Sequence, residues 1–385
     1  MKIFSCDHCG HPVFFENVQC LHCGCALAFL PDQLDLASMM PVPDDNGQGL
    51  LQRTDAEGDA RTYRMCQNHY EHRACNFAVQ SDDNNPLCVS CRQTRLLPDL
   101  SIPANHERWA RIEVAKRRLY YTLAQLGLEP RDPLQSWANS PVFQFLADQP
   151  GAQPVLTGHD NGIITLNIAE ADDDERARRR LMLNEPYRTL LGHLRHESGH
   201  YYWDRLFVDA QRLADFREVF GDESQDYTLA LQSHYARGQH NDWQDHYVSA
   251  YATAHPWEDW AETWAHYLHM VDLLETASAY STRVQVPGSD TGQSPKVRID
   301  NPFFGDGPPD FDVLVGQWVP VTLLVNSLNR SLGQNDAYPF ALAPGAMRKL
   351  RYVHELIASL ARAEAPQETE QQAQQQSMDA TAAPA

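Results

Sequence analysis

The chain has 385 residues, enough for two or three domains with their own cores. Its apolar share of 43% is ordinary for a globular protein, and no apolar run approaches the ~20 residues of a membrane helix. Acidic residues outnumber basic ones by 51 to 31, and the net charge of −20 argues against general binding to nucleic acid or anionic membranes.

The opening stretch, MKIFSCDHCGHPVFF, has no long apolar segment and no small-residue cleavage site. No export signal is therefore expected, and the chain reads as cytoplasmic. All nine cysteines fall between Cys6 and Cys91, a concentration unlike that of a secreted disulfide scaffold. Cys6-Asp-His-Cys9-Gly and Cys20-Leu-His-Cys23-Gly are two C-x2-C-G knuckles. Each turn points two thiolates at one ion, and together they offer a tetrahedral four-sulfur zinc site. Cys66, Cys75, Cys88 and Cys91 supply a second set, with His69 and His72 placed to replace one cysteine. Cys25 is left over, as a free thiol beside the first site. Such a ribbon has little core. Its zinc, worth on the order of 10–16 kcal/mol in small modules, would supply much of the folding energy.

Proline, asparagine and serine cluster in LLPDLSIPANHERW and mark a boundary near residue 100. RWARIEVAKRRLYYTLAQLGLEP then reads as a helix, with Ile112, Ala115, Leu119, Leu123 and Leu126 at helical spacing and Gly127 and Pro130 ending it. Ile164, Leu166 and Ile168 alternate with polar residues and predict a half-buried strand. DDDERARRR is a charge run that predicts a solvated surface segment.

HLRHESGHYYWDRLF follows, with Asn184 and Pro186 as the expected helix start. His196 and His200 lie four apart and share a helix face, so both reach one ion. Glu197 is turned by about 100° from His196. It stands beside the ion, where it can take a proton from water. Metzincins add a glycine and a third histidine just downstream; Trp203 and Leu206 occupy those places and exclude that class. A carboxylate from a later helix is then required. In SAYATAHPWEDWAETWAHYLHM, Pro256 favours a helix start, Glu258 and Glu262 lie four apart, and His266 follows one turn on. One carboxylate would bind zinc and the other accept a hydrogen bond from a ligand histidine. Read without a metal, the segment is a helix with aromatic core positions at Trp257, Trp260 and Trp264 and a solvated acidic face. Past residue 362, the Gln- and Ala-rich end predicts a disordered tail.

RHESGHYYW, AYATAHPWEDWAETWAHYLH and the cysteine-rich ribbon together resemble the bacterial zinc-binding metallopeptidases that carry a zinc-ribbon domain, a gluzincin-like group of zincins. The second motif is also similar to the end of the anthrax lethal factor protease. The resemblance implies Glu258 as third zinc ligand, Glu262 as the carboxylate behind a ligand histidine, and Tyr251 as a hydroxyl near the zinc. It also implies that the strand at Ile163–Ile168 lines the cleft as an edge strand and pairs with an extended peptide. The SprT-like DNA–protein crosslink proteases also join such a motif to a ribbon. Their ribbon comes after the protease, their third ligand is a histidine, and the acidic charge here argues against DNA.

The expected architecture is α+β: a zinc ribbon over 1–100 with two four-cysteine zinc sites, a mainly helical zincin-like peptidase domain with a small sheet over 101–362, and a tail over 363–385. The expected function is zinc-dependent hydrolysis of a protein or peptide, with one catalytic and two structural zinc ions, Glu197 as general base and Tyr251 as a catalytic donor. No nucleic acid or membrane partner is expected. The alternative is a binding module, with the ribbon holding a protein partner and the zincin-like part a silent scaffold. An intact Glu197 speaks against it.

Overall fold

Short strands tied at two cysteine clusters open the chain. The computed structural model describes residues 2–43, 47, 49–55, 61–131, 140–183, 189–237, 242–286, 296–303, 309–338 and 342–360. Strands β1 (Phe4–Ser5) and β2 (Pro12–Val13) form a small antiparallel pair. Next come β3 (Ala26–Leu30), β4 (Asp35–Pro41), β5 (Leu51–Arg53), β6 (Thr62–Met65), a short helix α1 (Gln67–His72) and β7 (Ala78–Gln80). Strands β3 to β7 make an antiparallel meander in chain order. A sheet this small cannot bury enough by itself. Phe15, Phe29 and Phe77 therefore pack on Tyr120 and Tyr121, which come from the long helix that follows.

That helix, α2 (Pro103–Gln125), starts at Pro103, several turn residues ahead of the expected Arg108. It ends before Gly127, whose φ of +76° suits a residue without a side chain. It serves two cores. Tyr120, Tyr121 and Ala124 face the ribbon, while Trp109, Ile112, Leu119 and Leu123 join the larger core behind it. Strand β8 (Thr94–Leu96), ahead of residue 100, pairs in parallel with β9 (Val142–Leu146) of the later region. A cut after residue 100 thus falls between two elements that tie the regions together.

The second sheet runs in the order β10 (Gly158–Asp160), β11 (Ile163–Asn167), β9, β8. Strand β11 buries Ile164 and Leu166, as the alternation predicts. It is paired on both sides, antiparallel to β10 and parallel to β9. The expectation that Ile163–Ile168 forms an edge strand is therefore corrected: among the described residues the edges of this sheet are β10 and β8. Ile168 already belongs to the 3-10 turn Ile168–Ala171, capped by the Asn167 side chain.

The charge run forms helix α3 (Asp173–Leu183), with Asp173, Asp174 and Glu175 in its first turn, where negative charge favours the helix dipole. The predicted start residues Asn184 and Pro186 lie outside the described residues. Helix α4 (Leu190–Leu206) begins at Thr189, whose hydroxyl accepts from the Gly192 N–H at 2.9 Å. Then follow α5 (Ala210–Phe220), α6 (Tyr227–Arg237), α7 (Trp243–His246), α8 (Pro256–Ala279), a small pair β12 (Arg283–Val284) and β13 (Val297–Arg298), α9 (Phe311–Ser331) and α10 (344–360). Among the described residues helix α9 is the one long and apolar enough to cross a membrane by length and composition, although Asp312, Gln317 and Asn326 interrupt its apolar sequence. Phe311, Leu314, Trp318 and Val321 on it join the main core. The tail beyond 360 lies outside the described residues. The architecture is α+β.

Helices α4 and α8 position everything that follows. They cross at close range because Gly199 has no side chain: a Cβ there would stand 2.9 Å from the Ala261 Cα. The Trp260 indole donates to the Gly199 carbonyl at 2.8 Å, and the Trp264 indole to the Ser198 hydroxyl at 3.1 Å. Both rings are fully buried, so their N–H groups need such partners.

Candidate metal centres

Each predicted cysteine set comes together. Cys6, Cys9, Cys20 and Cys23 form one cluster, and Cys66, Cys75, Cys88 and Cys91 another. Cys6 and Cys23 sulfurs lie 3.6 Å apart, Cys9 and Cys20 3.7 Å, and Cys75 and Cys88 3.7 Å. A disulfide needs about 2.05 Å. Two thiolates bound at about 2.3 Å to a tetrahedral zinc stand about 3.8 Å apart, so both clusters fit that ion. Backbone N–H groups of Cys88, Phe77 and Cys91 donate to sulfurs of Cys66, Cys75 and Cys88, which favours thiolates. Arg117, buried on α2, places a positive charge beside the second cluster. Cys25 sits beside the first cluster, near His8 and Cys23. His69 and His72 stay out of the second. The His69 ring bonds the Cys75 carbonyl at 2.9 Å, and His72 packs edge-on against Trp109.

The third centre lies where α4 crosses α8. His196 Nε2 is 3.2 Å from His200 Nε2 and 3.0 Å from Glu258 Oε2, and His200 Nε2 is 3.5 Å from the same oxygen. Nitrogen and oxygen ligands held at about 2.0–2.1 Å by a tetrahedral zinc stand about 3.3–3.4 Å apart. All three side chains are buried, and Glu258 Oε2 has no hydrogen bond of its own. An orphaned buried carboxylate oxygen facing two imidazoles is what a cation site presents. Burial pushes the Glu258 carboxyl up, but His200 and His196 outweigh it and hold it well below the usual range. Glu262 takes the place behind. Its Oε1 accepts from His196 Nδ1 at 2.7 Å and its Oε2 accepts from the Ser249 hydroxyl at 2.5 Å. With its proton on Nδ1, His196 presents the Nε2 lone pair toward the centre. The acidic side of α8 is thus an interior surface.

Glu197 is buried beside these groups. Its Oε1 lies 3.2 Å from His193 Nε2, and its Oε2 has no hydrogen-bond partner. Burial raises its pKa, but His193, His196 and His200 outweigh burial and leave it below the ordinary carboxylate value. Tyr251 stands in the single 3-10 turn Tyr251–Thr253 just before α8, with its ring 6.0 Å from the His196 ring. Burial pushes its hydroxyl well above the ordinary phenol range, so it remains a donor. His266 lies a turn farther along α8, bonded to the Tyr338 hydroxyl and outside the ligand group.

Three neighbours were not legible from the motifs. The Tyr227 hydroxyl, at the start of α6, donates to Glu258 Oε1 at 2.5 Å. No periodicity ties α6 to α8, so no sequence signal points to it. His159, on the edge strand β10, stacks 6.5 Å from His200. Glu170, in the turn after β11, bonds His193 Nδ1 at 2.7 Å. His193 lies on α4 about one helical turn before His196, outside the H-E-x-x-H motif.

A family model described as "Putative zinc-binding metallo-peptidase" matches residues 105–356. A zinc-ribbon domain model matches residues 3–102. Uncharacterized proteins of Mycobacterium bovis and of two strains of Mycobacterium tuberculosis are each 38% identical to it over 362 residues, 94% of this chain and 96% of theirs. No solved structure matches.

Proposed function

Since the chain belongs to this zinc-binding metallo-peptidase family and carries a zinc ribbon ahead of the peptidase region, we propose that it hydrolyses peptide bonds at the crossing of α4 and α8. The observation that carries the reading is the convergence of His196 Nε2, His200 Nε2 and Glu258 Oε2 beside a buried carboxylate with one unpartnered oxygen. Those three residues would hold the ion. When bound, zinc supplies a Lewis acid for the scissile carbonyl and lowers the pKa of a water toward ~7. Glu197 takes the proton of the attacking water on Oε2 and delivers it to the leaving amine. Tyr251 donates to the oxygen on which negative charge grows. Among the described residues β10 is an edge strand, and its outer side is where an extended peptide would add as a further strand. The two cysteine clusters would hold structural zinc, giving about three ions per chain.

The test uses the purified full chain. Elemental analysis should give about three zinc ions per chain from the ligand counts. A peptide library should be cut by the native chain and left intact by Glu197→Gln, which keeps the metal but accepts no proton. Zinc at full content with no cleavage by the native chain, together with a stable protein partner in a pull-down, would replace this reading with the binding-module one.

A further inference from the structure

His193 lies between two carboxylates. Its Nδ1 is 2.7 Å from Glu170 Oε2 and its Nε2 is 3.2 Å from Glu197 Oε1. A carboxylate only accepts, and a neutral imidazole has a single N–H to give. Both contacts are made only by an imidazolium, donating from both nitrogens. The electrostatics agree: burial would lower the His193 pKa, but Glu170 and Glu197 raise it to about 9.

Glu170 is itself fixed. Its Oε1 accepts from the Thr157 hydroxyl at 2.6 Å, and its carbonyl from Arg176 at 2.8 Å. The turn that carries it is capped by Asn167, whose Oδ1 accepts from the Ala169 N–H at 3.0 Å. Glu170 and Glu197 are both buried. A buried ion pair seldom stabilises a fold more than apolar packing of the same volume would. Stability therefore does not account for three titratable groups in line behind a metal-ligating helix. What they do achieve is geometric: one oxygen of Glu197 is tied down and the other is left without a partner.

We propose that Glu170 and His193 are a positioning pair for Glu197, in which His193 clamps Oε1 and so commits Oε2 to proton transfer. The pair touches neither substrate nor ion and acts through Glu197 alone. The inference rests on the hydrolytic reading above for its kinetic consequence, though not for its geometry.

The experiment uses the zinc-loaded full chain and three variants. His193→Phe keeps a ring and removes both donors. His193→Gln keeps one donor for Glu197. Glu170→Gln keeps the shape behind His193 and removes the charge. Crystal structures read the conformation of Glu197, chelator competition reads zinc affinity, and the library peptide cut by the native chain reads kcat and KM separately. In His193→Phe, Glu197 should spread over several conformers. kcat should fall roughly 10–100-fold, the span typical of groups that orient a site from behind. KM and zinc affinity should hold, and His193→Gln should recover part of kcat. A Glu197 side chain unchanged in His193→Phe overturns the proposal, as does an unchanged kcat or a loss of zinc that parallels the loss of rate. If His193→Phe does not fold, Glu170→Gln decides by the same three readouts, with a smaller expected loss of kcat. If the native chain cuts nothing, the hydrolytic reading fails and the Glu197 conformers still decide the positioning.

Discussion

The cysteine clusters and the helix-pair centre hold their candidate ligands by opposite means. In the ribbon, three of the four cysteine pairs stand three residues apart on tight turns, and the sheet around them is too small to close without borrowing two tyrosines from α2. At the crossing of α4 and α8, Glu262 supports His196 from 66 positions away. That centre is assembled by packing: Trp260 and Trp264 are fully buried, Gly199 meets Ala261, and indole N–H groups bond across. A metal would thus be part of the fold in the ribbon and a guest in the helix pair. The lesson is that one ion can be structural glue or reagent within one chain, according to how much core surrounds its ligands.

Chelation should divide the two regions most sharply. A strong chelator should unfold the ribbon, where zinc is worth on the order of 10–16 kcal/mol, and leave α4 and α8 protected. Hydrogen exchange followed by mass spectrometry would read this; equal loss of protection in both regions would erase the contrast. At the helix pair, Glu258→Ala should release about one zinc ion without unfolding the chain, since three ligands are needed to hold it. Glu262→Ala should weaken zinc binding only about 10–100-fold, because it acts through His196. A competition assay that gave the reverse order would exchange the two carboxylates.

Tyr251→Phe removes a hydroxyl and keeps the ring. Turnover should slow by about 10²–10³, with zinc content and melting temperature unchanged, as for loss of one donor to a growing oxyanion. Full activity would return Tyr251 to a packing role, and Tyr227 would be the next phenol to test.

The smallest effect concerns the seam between the regions. Glu129 accepts from Gln93 on the ribbon side, from Ser140, and from Tyr202 on α4. Burial, partly offset by these bonds, raises its pKa from 4.5 to about 7. A carboxyl whose folded pKa is raised contributes stability in full below pH 4.5 and loses it as pH rises through about 7. Glu129→Gln should flatten that part of the pH–stability curve, by about 3 kcal/mol at most. An unchanged curve would mean the seam carries no such charge burden.

Much of the site was legible because its ligands obey local rules. The separation of His196 and His200 is one helical turn, and C-x2-C is one knuckle; covalent geometry alone brings such pairs together. Pro256 opened α8 where the rule for prolines placed it. Other expectations failed for nonlocal reasons. The alternation at Ile163–Asn167 reports burial of one face, and cannot say whether another strand lies beyond; β10 does, and takes the edge. The cap of α4, by contrast, is local: the Thr189 hydroxyl accepts from the Gly192 N–H three residues on.

What the sequence determined by itself was therefore the set of candidate donors, the helices that carry them and the ribbon's three C-x2-C pairs. Each follows from spacing within a few residues, where the backbone leaves little choice. Only the tertiary structure decided which groups stand behind the donors. Glu170 reaches His193 from a turn after β11, Tyr227 reaches Glu258 from α6, and Tyr120 and Tyr121 close a core that belongs to the region before them. Contacts of this kind depend on how elements distant in the chain pack, and that is set by the summed burial of many side chains, which no single stretch of sequence encodes.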